Sequence, residues 1–92
     1  MKNRIQTALE AAEELAKELF NVDMYRDTVG VGRRMRDAGE PMSALGHASL
    51  AMHEQELPKA VAAARAAAAE MRKQLDLLDK DLARSQGEQQ ND

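Results

Sequence analysis

The sequence has no cysteine and no tryptophan, and it has only one phenylalanine, Phe20, and one tyrosine, Tyr25. Without cysteine there is no disulfide framework and no Cys-ligated zinc or iron–sulfur site. Aromatic side chains bury the most area per residue and dominate most cores. Their scarcity leaves Leu, Ala, Met, Val and Ile to make many small contacts. That palette suits long helices and does not suit a compact β-sandwich. No charge sign dominates: 13 basic and 16 acidic residues give a net charge of −3. This balance is too even for a basic nucleic-acid-binding domain and too weak for an acidic DNA mimic. No apolar run approaches the roughly 18 residues of a membrane span. The opening stretch, MKNRIQTALEAAEELAKELF, lacks the uninterrupted apolar segment of a signal peptide, and Glu10, Glu13, Glu14 and Glu18 argue against a transit peptide. A cytoplasmic location with no membrane contact is the expectation. At 92 residues the chain is one domain at most. So short a chain buries a modest fraction of its surface, and a core confined to one copy would be marginal.

What the sequence does contain is helical periodicity. From Asn3, a suitable N-cap, to Phe20, apolar residues fall at Ile5, Ala8, Ala12, Leu15 and Leu19, with Leu9, Ala16 and Phe20 widening the stripe. Asn21 and Asp23 interrupt the pattern, and Asp23 can cap a second helix over residues 24–38 carrying Val31, Met35 and Ala38. Gly30 and Gly32 lie inside it, each costing about 1 kcal/mol relative to alanine. Gly39 then Pro41 read as a stop and a restart. A third segment, 41–54, keeps the same phase with Met42, Leu45, Ser49 and Met52, so 24–54 reads either as one kinked helix or as two. The fourth segment is the clearest. Leu57, Val61, Ala64, Ala68, Met71, Leu75, Leu78 and Leu82 are spaced four and three in strict alternation, a coiled-coil seam of almost four heptads. Pro58 sits in its first turn, where a missing N–H matters little. The polar stretch SQGEQQND, residues 85–92, reads as a disordered tail. The expected fold is therefore all-α: a small helical bundle over residues 1–84, three to four helices in total, with one long C-terminal coiled-coil-type helix.

Little in the chain announces a chemistry. TVGVGRR has two glycines in the spacing of a dinucleotide-binding loop, but Met35 stands where the third glycine belongs and no strand precedes it. The better reading is a joint where two helices meet. His47 and His53 are six residues apart, on different faces of a helix, whereas helical metal ligands stand three or four apart. Ser43, Ser49 and Asp37 supply hydroxyls and a carboxylate, but no strained nucleophile turn accompanies them. No enzyme, metal or cofactor is expected.

The basic run Arg33, Arg34, Arg36 is the strongest local charge feature and could meet phosphate or an acidic protein surface. Asp27, Asp37 and Glu40 dilute its field, and no aromatic residue is interleaved for base stacking. The methionines of the middle segments, Met35 and Met42 among them, either fill a core or line an adaptable groove. In AVAAARAAAAEM, Ala60 to Met71, the small seam residues Ala64 and Ala68 would let a second helix approach closely. Leu15, Leu19 and Phe20 are the candidates to pack there. The expected function is protein binding by helix–helix packing: an adaptor, a chaperone-like protein or an inhibitor of a larger complex, likewise able to form a homodimer. The expected contact residues are Arg33, Arg34, Met35, Arg36, Met42, Ala64, Ala68, Met71 and Leu75. The alternative is a nucleic-acid-binding regulator that uses Arg33, Arg34 and Arg36.

Overall fold

The computed structural model describes residues 2–90, with side chains as far as residue 85. Among these residues there are two helices and no strand: α1, Arg4–Asp37, and α2, Ala44–Gln90. They fold back on each other as an antiparallel hairpin that measures 75 × 25 × 13 Å, a single layer two helices wide.

Local sequence sets the ends of both helices. Asn3 caps α1: its side chain accepts from the Gln6 amide at 2.8 Å, and the Gln6 side chain accepts from the Asn3 amide at 3.0 Å. This reciprocal box satisfies two amides that a helix start leaves free. The other end of α1 closes on Gly39, at φ +73. The Gly39 amide donates to the Arg36 carbonyl and the Glu40 amide to the Met35 carbonyl, both within 3.1 Å. That paired arrangement needs a left-handed residue just past the helix, which glycine supplies without strain. Ser43 starts α2, its hydroxyl accepting from the Gly46 amide at 3.0 Å.

The helix count is two rather than the expected three to four. The expected break at Asn21–Asp23 is absent. Asp23 sits mid-helix, pairing with Arg26 at 3.1 Å, so its carboxylate serves a side chain and not a helix start. The glycines do not break α1 either. A Cβ on Gly32 would stand 2.8 Å from Leu50 Cδ1. The missing side chain is what admits Leu50, and that close packing offsets the propensity loss. The expected third and fourth segments are likewise one helix, which begins at Ala44 rather than Pro41 and runs through Pro58, whose ring is exposed. The proline removes one backbone bond, while the buried row on the opposite side continues through Leu57 and Ala60. Gly39 and Ser43, not Pro41, mark the turn. Helix α2 also continues past Arg84 to Gln90, where a polar tail was expected. Gln and Glu are good helix formers, so lack of apolar residues does not by itself end a helix. The last two positions of that expected tail, 91 and 92, lie outside the described residues.

Each helix turns one buried or half-buried row toward the other. On α1 it is Ala8, Ala11, Leu15, Glu18, Val22, Tyr25, Val29 and Gly32; on α2 it is Leu50, His53, Leu57, Ala60, Ala64, Ala67, Met71, Gln74, Leu78 and Asp81. Both rows alternate steps of three and four, the seam of a coiled coil. Arg4 and Asp81, 3.1 Å apart, tie the open end of the hairpin; Arg33 and Glu54, 3.2 Å apart, tie it near the turn.

Candidate helix-docking face

The seam that faces α1 is not quite the one expected from sequence. Leu57, Ala64, Met71 and Leu78 belong to it. Ala60, Ala67, Gln74 and Asp81 take the alternate places, instead of Val61, Ala68, Leu75 and Leu82. Helix α2 is turned by about half a residue's arc, so that the row Leu57–Ala64–Met71–Leu78 stays on the seam while the row beside it changes. The row taken is small at Ala60 and Ala67 and polar at Gln74 and Asp81, where Asp81 pairs with Arg4. The unused row, Val61, Ala68, Leu75 and Leu82, then forms one flank of the hairpin. Its counterpart on α1 is Ile5, Ala12 and Leu19.

These two flanks lie on the same side. In an antiparallel helix pair, the row that flanks the seam on one helix runs beside the equivalent row of the other. The structure shows the junction directly: Leu15, Leu19 and Val22 join Val61, Ala64 and Ala68 in lining one open apolar groove, with Arg65 at its edge. The face extends from that groove toward the open end of the hairpin. Leu19 is 53% exposed, Leu75 48% and Leu82 57%, and Ile5 and Leu9 are more than half exposed. Meanwhile the residues buried in that half of the hairpin are mostly alanines: Ala8, Ala11, Ala60, Ala64 and Ala67. Small side chains are inside and large ones outside, the reverse of an ordinary core. Each of these half-exposed leucines forgoes roughly 1 kcal/mol of burial, about half the value for a full side chain. Phe20, expected to pack on the alanines, stands 70% exposed at the edge of this face.

The opposite flank of the same half carries Thr7, Glu14, Asn21, Ala63, Glu70 and Leu77, and is mainly polar. On it Glu70 holds the one buried polar side chain among the described residues. Gln74 Nε2 donates to Glu70 Oε1 at 2.8 Å, and Gln74 Oε1 has no partner.

The turn holds a second groove, on that opposite flank, lined by Val31, Met35, Met42, Leu50 and His53 among others. The His53 ring lies 5.6 Å from Tyr25, with its Nδ1 buried and unpartnered. The expected contact residues thus divide. Met35 and Met42 lie at the turn; Ala64, Ala68, Met71 and Leu75 lie on the open half, with Ala64 buried and Ala68 exposed. The structure does not bring the two sets together. The three arginines also divide: Arg33 and Arg36 both reach the Glu54 carboxylate, at 3.2 and 3.6 Å, while Arg34 is exposed without an ion pair among the described residues. His47 is exposed and apart from His53, and no cluster of three metal-ligating side chains occurs among the described residues. Nor is any described helix long and apolar enough to cross a membrane.

The exposure of Leu75 and Leu82 had no signal in the apolar pattern. Ala60 and Ala67 offer an alternative row beside the shared one, but Gln74 and Asp81 break it, and apolar spacing alone favours Leu75 and Leu82 for the seam. No protein-family model, curated protein or solved structure matches the chain.

Proposed function

We propose that this is a small non-enzymatic binding protein, an adaptor, chaperone-like protein or inhibitor, that holds another polypeptide by helix–helix packing on the apolar face of its open half. One observation carries this reading: leucines 19, 75 and 82 lie about half exposed on one side of the hairpin while the fully buried apolar residues of that half are all alanines. Contiguous exposed apolar strips mark interaction sites in soluble proteins. A helix laid into the groove would place its side chains between Leu19 and Ala68, extending the same packing by a third helix.

Nucleic acid contact through Arg33, Arg34 and Arg36 has less support, because two of the three arginines are engaged with Glu54 and the net charge is negative.

A photo-reactive phenylalanine analogue placed at Leu75 tests the reading. Irradiated in the native cell, it should form covalent protein adducts that the same group at Lys73, on the opposite side of α2, does not form. Absence of any protein adduct at Leu75, including one with the chain itself, would refute the reading.

A further inference from the structure

We infer that the occupant of this face is a second copy of the chain, related by a twofold axis along the hairpin, so that α1 of each copy lies on α2 of the other in a four-helix bundle. The inference rests on the docking face proposed above and names its partner.

Shape is the first ground. The two halves of the face differ in a complementary way. Each row alternates large and small: Ile5, Ala12 and Leu19 on α1, Leu82, Leu75 and Ala68 on α2, with large Leu19 level with small Ala68 and small Ala12 level with large Leu75. A twofold operation that preserves level sets Leu19 of one copy on Ala68 of the other and Leu75 on Ala12, with Ile5 and Leu82 meeting at the open end, twice over, as an isologous interface requires.

Charge is the second ground. A twofold axis along the hairpin preserves the level of each residue. Arg4 beside Asp81 and Leu19 beside Ala68 put Glu13 level with Arg72, and Phe20 level with Arg65. Glu13, Arg65 and Arg72 are exposed and make no ion pair among the described residues. In the dimer Glu13 meets the partner's Arg72, and Phe20 meets the partner's Arg65, an acid against a base and a ring beneath a guanidinium. The edge of each copy therefore supplies what the other lacks.

Area is the third ground. Val61 to Leu82 spans about 32 Å at roughly 1.5 Å per residue, and two helices side by side are about 20 Å across, so each copy offers about 640 Å² in projection. Two copies then bury about 1,300 Å², within the roughly 1,200–2,000 Å² of specific interfaces. Near the turn the same flank is closed by Arg26, Arg33 and Glu54, which confines the contact to the open half.

Sedimentation equilibrium of the full chain at micromolar concentration tests this. The wild type should show twice the chain mass of 10.2 kDa. Leu75→Glu should halve it, and Lys73→Glu should leave it unchanged. Circular dichroism establishes that each variant remains helical. Glu13→Arg should weaken dimerisation at least tenfold, and Glu13→Arg combined with Arg72→Glu should restore it. A wild-type monomer, or a dimer indifferent to Leu75→Glu, overturns the inference. If that monomer nevertheless forms adducts with a foreign protein at Leu75, the partner is another polypeptide and the binding reading stands. If it forms none, both fall.

Discussion

The turn half and the open half of the hairpin are built from the same seam but settle their apolar residues differently. At the turn, the seam holds Val29, 2% exposed, and Leu50, 6% exposed, and Gly32 is bare so that Leu50 can close against α1. Charged residues, Arg33 and Glu54, shut one flank. The open half fully buries alanines, half-buries Leu15, Leu57 and Leu78, and leaves Leu19, Leu75 and Leu82 about half exposed. The turn half therefore buries large apolar side chains that the open half does not. Burying an alanine gains little, so the open half holds together through length and helix propensity more than through packing.

Substitutions can widen or erase that contrast. The largest effect belongs to Leu50→Ala, which removes the main buried side chain at the turn. It should lower the unfolding free energy by about 2–5 kcal/mol at any protein concentration, read by chemical denaturation. Leu75→Ala should cost a monomeric hairpin well under that, on the order of 0.5 kcal/mol as for an exposed site, with the remaining loss appearing only where protein concentration favours association. Next come the two alanines. Ala64→Leu should destabilise by about 1–3 kcal/mol through overpacking of the seam. Ala68→Leu should change the denaturation of dilute protein by no more than about 0.5 kcal/mol. Equal effects would mean that the two positions are not on different rows.

Smaller effects separate the glycines. Gly30→Ala meets only Arg34 Nη1, at 3.6 Å, and should gain about 0.5–1 kcal/mol from helix propensity. Gly32→Ala has the same propensity gain but must displace Leu50 Cδ1. It should fall short of Gly30→Ala in thermal melts. Smallest is Arg4→Ala, which breaks a half-exposed ion pair with Asp81. A loss of about 0.2–1 kcal/mol is expected at low salt, vanishing at high salt.

The contrast also explains what was readable in the sequence. The class, the Asn3 cap, the Gly39 stop and the coiled-coil character of 57–84 follow from local chemistry, and local chemistry determines them. The number of helices does not. Asp23, Gly32 and Pro58 each carry a local signal for a break; Asp23 and Pro58 point away from an unbroken seam row, and Gly32 lies on that row, where its bare Cα admits Leu50. Propensity differences of about 1 kcal/mol, and about 3 for proline, yield to a seam that runs the length of the hairpin. The site was partly legible for a related reason. Ala64 and Met71 sit on the row shared by both seams of α2, and Ala68 and Leu75 on the row left over. The heptad alone does not say which row meets α1. That is decided by how the rows of α1 and α2 fit against each other, a property of two helices together.

The absence of native cysteine makes one measurement especially direct. Single cysteines can be introduced at Ala68, on the apolar face, and at Ala66, exposed on the opposite side of α2. Both substitutions are small, and alkylation rates report access to each sulfur. A covered face requires that Ala68→Cys react slowly at high protein concentration and rapidly on dilution, while Ala66→Cys reacts at one rate throughout. Equal and fast alkylation of both at every concentration would contradict it.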